Sequence, residues 1–396
     1  MSRMWDKGAP LDERVLRYTA GEDYALDERL VRYDVRASIA HAQMLHAQKL
    51  LSQEDLALIV AGLSSLAEEH ERGQWHIELA DEDGQSALER RLIARIGPAG
   101  GRVHLGRSRN DQVLTALRLY LRDVIGELSG AALTLVAALE RLAAREADTA
   151  LPGYTHMQQA MPSSVALWAG GYAAELADDA LGLRAVQRRI AGNPLGSAAG
   201  YGTPGLPLDR MATTRALGFE HVHEPVTAVQ LSRGKAEAQL LFELCLLAQD
   251  LGRMATDLLL FYTQEFAFIS LPDAFTTGSS IMPQKRNPDV LELVRARSAT
   301  ALACLTEALA LCAKLPSGYQ RDLQALKFPL FRGIDLAAQT LAILAAVLDA
   351  VKFRPERIRL DPAVHAAQEA YALVLADGIP FREAYQRVAA RYARKD

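Results

Sequence analysis

With 396 residues the chain can bury a large core, and its net charge of −4 argues against nucleic acid as a bulk electrostatic partner. Half of its residues are apolar but only 6% are aromatic, a balance made mainly by Ala and Leu that favours helix over sheet. Residues 1–15 lack the apolar run of a secretory signal, and no uninterrupted apolar stretch reads as a membrane span, so a soluble, cytoplasmic protein is expected. Cys245, Cys304 and Cys312 lie in helical pattern without metal spacing and read as core residues of a reducing compartment.

In chain order, residues 1–100 predict an N-terminal domain of shorter helices, one over about 30–51 and one over about 53–72. Ser52 is placed to cap the second, with Asp55 at its third position. Gly97, Gly100 and Gly101 interrupt the pattern. From Asn110 the apolar positions Val113, Leu117, Leu121, Val124, Leu128, Ala132, Leu135, Leu139 and Leu142 recur by threes and fours, which predicts one long amphipathic helix. Comparable patterns cover about 163–190, 225–268, 288–315 and 331–348.

Helices of this length predict a central bundle over 101–350, followed by a short C-terminal helical region over 351–396. Runs such as LLFELCLL are apolar on more than one face, so an oligomer built through these helices is expected over a thick monomeric bundle. The glycine- and proline-rich stretch 192–207 must be a non-helical connection.

Irregular segments between the helices carry the chemistry. GGRVHLGRSRND brings Ser108, Arg109, Asn110 and Asp111 to the start of the long helix; Ser and Asn suit caps, whereas Arg109 suits bidentate carboxylate binding. LPGYTHMQQAMP sets His156 beside Thr155 at an expected loop–helix junction, where a histidine can act as acid or base or serve only as a structural hydrogen bonder. His221 and His223 have no third ligand nearby and read as surface residues. GYQRDLQALK gathers Tyr319, Arg321, Asp322, Gln324 and Lys327, with Gln324 and Lys327 on one face if the segment is helical.

The richest segment is GSSIMPQKRNP, residues 278–288. Asn287 reads as an N-cap, Pro288 as the first helical residue and Asp289 as an acidic first turn. A loop feeding such a helix end, with Lys285 and Arg286 beside it, suits a carboxylate.

GSSIMPQKRNP resembles the signature loop of the fumarase/aspartase superfamily. Within it, GRSRNDQV, GYTHMQQAMP and YQRDLQ..K resemble the argininosuccinate lyase family and its relative δ-crystallin, and the similarity runs from about Trp5 to the end of the chain. The resemblance implies an all-α fold with a long central helical bundle and smaller N- and C-terminal helical domains. It also implies a homotetramer whose active sites are shared between subunits, with no metal or organic cofactor; the charge and the lack of an apolar span predict no nucleic-acid or membrane partner. The implied reaction is reversible β-elimination of argininosuccinate to arginine and fumarate.

Carried over motif by motif, His156 and Ser279 are the implied acid–base pair. Ser279 is favoured as base and His156 as acid, the opposite assignment staying open. Asn110, Thr155, Lys285 and Asn287 match residues that bind the fumarate-side carboxylates or orient the loop, and Arg109 matches a family arginine. Tyr319, Gln324 and Lys327 match residues at the arginine end. The chain departs from the family pattern at Asp23, where many members have Ser, at Gln85, where many have His, at Ala325-Leu326, and in GSAAGYGTP. The departures at Asp23 and Ala325-Leu326 motivate a second reading, a lyase for another fumarate adduct, and the likeness to δ-crystallin a third, a non-catalytic structural tetramer.

Overall fold

The computed structural model describes residues 12–392; Trp5, where the resemblance begins, lies outside them. The fold is all-α, as the sequence predicts. Its helices are, in chain order, α1 Glu13–Ala20, α2 Asp23–Leu26, α3 Val31–Ala47, α4 Gln53–Glu71, α5 Gly84–Ile96 and α6 Arg109–Arg145, then α7 Val165–Ala185, α8 Gln187–Ile190 and α9 Arg210–Leu217. There follow α10 Val226–Leu231, α11 Lys235–Tyr262, α12 Asp289–Cys312, α13 Lys327–Ala350, α14 Ala366–Asp377 and α15 Phe381–Tyr392. By contacts the chain divides into two compact units.

The first unit comprises Met1–Glu127, Gly182–Leu244 and Ala301–Asp335. Its core around α3, α4 and α5 buries Val35, Leu45, Ile59, Leu63, Leu88 and Leu92. Ser52 caps α4 as expected, its hydroxyl accepting from Asp55 N–H at 3.0 Å. Gly100 lets the backbone touch α5, since a Cβ there would sit 2.8 Å from Ile93 N. Where the sequence predicts one helix over 225–268, the structure breaks it into α10 and α11. At the break Gly234 takes φ +82, and a Cβ would fall 2.1 Å from Cys312 Sγ.

The Gly-rich connection is tied to the start of α6. Asp111 is buried, and its Oδ2 accepts from Gly196 and Ala198 N–H, both at 2.9 Å. Burial pushes this carboxyl up to about 6, although the N–H groups of Ser108, Ala198 and Gly196 oppose the rise. His223 is not the surface residue expected: Arg118 donates to its Nδ1 at 3.0 Å, and burial with that guanidinium lowers it to about 4. Arg118 itself is buried and also donates to Ser232 Oγ at 2.8 Å, which draws His223 inward, whereas His221 is exposed as expected.

The second unit comprises Leu128–Leu181, Cys245–Thr300 and Leu336–Asp396. Trp168 and Tyr172 both donate to Asp257 Oδ2, at 2.9 and 2.8 Å, and Trp168 packs edge-on against Phe261 and Phe353. The segment LPGYTHMQQAMP, expected to be irregular, is an antiparallel hairpin of β1 Ala150–Thr155 and β2 Gln158–Ser164. Pro152 and Pro162 face each other in it and a bulge interrupts Gly153/Tyr154, the irregularities that hide a strand from pattern reading. Ala370, Ala384 and Val388 form a small core joining α14 to α15. Among the described helical segments, Arg321–Ala350 has the length and hydropathy of a membrane span, a criterion that the core helix of a folded protein also meets.

Candidate active site

Five of the sequence-predicted residues line one cleft within the first unit: Arg109, Asn110, Tyr319, Gln324 and Lys327. The start of α6 supplies Arg109 and Asn110. Ser108 caps that helix, its hydroxyl accepting from Asn110 N–H at 3.3 Å while its own N–H donates to Asp111 Oδ1 at 2.9 Å. Arg109, already engaged, donates to Asp83 Oδ2 at 2.7 Å.

Tyr319, Gln324 and Lys327 come from the segment before and at the start of α13. Residues Arg321–Leu326 form a 3₁₀ turn instead of an α-helical one, and this turn presents Gln324 and Lys327 to the same cleft. Gln324 Nε2 donates to the carbonyls of Thr19 at 3.0 Å and Ala20 at 3.2 Å, locking the turn to the end of α1. Lys327 is only 3% exposed, and its Nζ lies 2.6 Å from Asp27 Oδ1 and 2.9 Å from Asp23 Oδ1. Burial disfavours the ammonium, but Asp27 and Asp23 outweigh it and hold the lysine above its ordinary value.

Sequence reasoning named Asp23 and Gln85 only as departures and did not name Arg233 as a site residue; all three line the cleft. Arg233 is buried, and its Nε and Nη1 make no hydrogen bond. An arginine just after the short helix α10 and before a helix-breaking glycine is a weak sequence signal, easily taken for surface charge.

The remaining predicted residues belong to the second unit. Thr155 and His156 are exposed at the hairpin, with Thr155 paired to Gln158, so that His156 and Met157 form its two-residue turn. Both turn residues have positive φ, +53 and +61, as a type I′ turn requires. Non-glycine residues meet that requirement at a cost of about 1–2 kcal/mol each. The expected loop–helix junction is therefore a strained hairpin tip holding the imidazole out from the fold. Gln159 anchors the hairpin below the tip, donating to Arg359 O at 3.0 Å and accepting from Asp361 N–H at 2.9 Å.

Ser279, Lys285 and Asn287 lie in the 278–288 loop. Ser279 Oγ accepts from Met282 N–H at 3.1 Å and from Ile281 N–H at 3.4 Å. The loop closes on a bridge in which Thr277 and Asn287 exchange backbone hydrogen bonds of 3.0 and 2.8 Å. Asn287 is not the side-chain cap expected of it: its Nδ2 donates back to Gly278 O at 3.3 Å, and α12 begins at Asp289, after Pro288. The amide thus fixes the loop's two ends to each other. Lys285 is exposed, and among the described residues no hydrogen bond joins His156 to Ser279.

A family model described as a lyase matches residues 13–302. The argininosuccinate lyase of Sorangium cellulosum is 48% identical over 393 residues, covering 99% of this chain and 91% of that one. That of Thermotoga neapolitana is 40% identical over 395 residues, covering 99% of each. Among solved structures, EDDS lyase in complex with formate superimposes with a TM-score of 0.79 at 29% identity, over 97% of this chain and 76% of its own. The class II fumarase of Schistosoma mansoni reaches 0.79 at 18% identity over 98% of this chain and 91% of its own, a likeness of fold alone.

Proposed function

Since the chain belongs to the lyase family, and within it to the argininosuccinate lyases, it is a carbon–nitrogen lyase, and from that premise we propose that it cleaves argininosuccinate reversibly to L-arginine and fumarate in arginine biosynthesis. The observation that carries this reading is identity of 40–48% to curated argininosuccinate lyases along nearly the whole chain.

The elimination removes a proton from the carbon beside a carboxylate, and the electron pair moves into that carboxylate as an aci-carboxylate. The pair then returns to form the carbon–carbon double bond as the C–N bond breaks, and the departing guanidine nitrogen takes up a proton. Ser279 is the base in this scheme and His156 the acid. A serine hydroxyl is a weak base, so its alkoxide needs stabilisation. The two N–H groups aimed at Ser279 Oγ are donors of that kind, and Lys285 adds a cation in the same loop. Asn110, Thr155 and Asn287 hold the fumarate-side carboxylates, with Arg109 beside them, and Tyr319, Gln324 and Lys327 hold the amino-acid end.

The working form is a cytoplasmic homotetramer, free of metal and organic cofactors, in which each site draws segments from several subunits. Exposed apolar side chains on the long helices support an oligomer: Leu167 on α7, Phe242 on α11, and Leu293, Leu302 and Leu309 on α12. The test is fumarate production from argininosuccinate, followed by ultraviolet absorbance. Turnover lost in Ser279→Ala and in His156→Asn is expected. Turnover of another succinyl adduct with none of argininosuccinate contradicts the substrate assignment.

A further inference from the structure

Asp23 and Asp27 both hold the Lys327 ammonium, yet they differ in what their second oxygens do. Asp27 is fully buried, and its Oδ2 accepts from Gly84 N–H at 3.0 Å, so both of its oxygens are engaged within the fold. Asp23 lines the cleft, and its Oδ2 accepts no hydrogen bond from any described residue. Two carboxylates share one ammonium, which leaves a surplus of one negative charge when both are ionised.

The other cations lining the cleft do not supply it. Arg109 is spent on Asp83 at 2.7 Å, and neither Arg321, which donates to Thr19 O, nor Arg233, whose Nε stands 4.0 Å from Glu237, makes an ion pair with Asp23. A carboxylate in a part-buried cleft with one free oxygen and no cation of its own is a receptor for a small cationic ligand group. Argininosuccinate carries two cationic groups. Its guanidine is at the bond that breaks, where Ser279 and His156 act in the proposed scheme. Its α-ammonium is at the far end, which Tyr319, Gln324 and Lys327 serve.

We propose that Asp23 is a specificity-determining residue that accepts the α-ammonium of the amino-acid end, making the enzyme selective for a free amino acid over its des-amino analogue. This rests on the reading of argininosuccinate as substrate. Burial raises the Asp23 carboxyl to about 7, with Lys327 opposing and Asp27 and Asp83 adding to the rise. Asp27, Lys327, Asp83, Arg109, Arg233, Arg321 and the Tyr319 hydroxyl are the titratable and charged groups of the cleft around it. Protonation of Asp23 removes the acceptor charge, so selectivity widens as pH rises from 6 to 8.

The test uses the full-length enzyme and two probes, L-arginine and 5-guanidinopentanoate, which is the same molecule without the α-amine. Calorimetric titration should show L-arginine binding about tenfold or more tightly than the analogue, the usual size of a hydrogen bond between charged groups. Asp23→Asn keeps an oxygen for Lys327 and should bring the two affinities together, as should the smaller Asp23→Ser; binding of the analogue reports that each variant is folded. Equal affinities in the wild type, or a preference that survives in the variants, overturns the proposal. Fumarate release from argininosuccinate by the wild type is measured alongside. Its absence rejects the substrate reading itself, whereas its presence with an unchanged preference rejects the role of Asp23 alone.

Discussion

Lys327 Nζ lies 2.6 Å from Asp27 Oδ1 with both side chains withdrawn from solvent, although 300 residues separate them in sequence. This pair fastens the start of α13, with the Gln324 turn before it, to the segment following α2. The residues of the candidate amino-acid subsite are therefore held by a buried charge cluster.

Removing the lysine leaves two carboxylates in a poorly solvated site. Lys327→Met is expected to destabilise the fold by about 3–5 kcal/mol, the usual penalty for stranding a buried charge. Thermal melts should show the loss shrinking as pH falls, because protonation discharges the carboxylates. An equal loss at pH 5 and pH 8 contradicts the charge account.

The Asp23 carboxyl, raised from 3.8 to about 7 by burial against the opposing pull of Lys327, gives stability a pH dependence of definite sign. The unfolded chain gives up this proton near pH 4, whereas the folded chain keeps it to about 7. Its contribution to stability is thus complete below pH 4 and is lost as pH rises through 7. Relative to wild type, Asp23→Asn should gain stability from pH 4 to pH 7 and then hold a constant margin above about pH 8. Parallel melting curves across that range would falsify the assignment.

Gly234 separates α10 from α11 and meets Cys312 where a Cβ would stand, at 2.1 Å from Sγ. Gly234→Ala should cost about 1–3 kcal/mol for overpacking, and about 1 kcal/mol more for an L-residue at φ +82. Adding Cys312→Ala removes the collision and should restore the overpacking part only. A double-mutant cycle in denaturant checks this. Additive losses contradict the contact.

Much of the fold was legible because its helices are long. Val113 to Leu142 repeat by threes and fours through α6 without a proline, and Ser52 with Asp55 announces α4. The interruptions were harder to read. Gly234 separates two helices against a cysteine that lies far along the chain, and the hairpin bearing His156 has a proline in each strand. Site chemistry divided in the same way. Ser279, Lys285 and Asn287 stand out as candidates because they sit in one contiguous loop, as do Arg109 and Asn110 at a helix start. The capture of Lys327 by Asp23 and Asp27, the inward turn of His223 onto Arg118 and the place of Arg233 in the cleft each depend on non-local contacts, which periodicity does not encode.

The central claim is that Ser279 drives elimination from argininosuccinate. It is tested most directly by fumarate absorbance in wild-type enzyme and in Ser279→Ala, with circular dichroism confirming that both are folded. We predict turnover by the wild type and a loss of about 10²–10⁴-fold or more in the variant, the usual scale for removal of a group that transfers the proton. A folded Ser279→Ala enzyme that retains wild-type turnover contradicts the account.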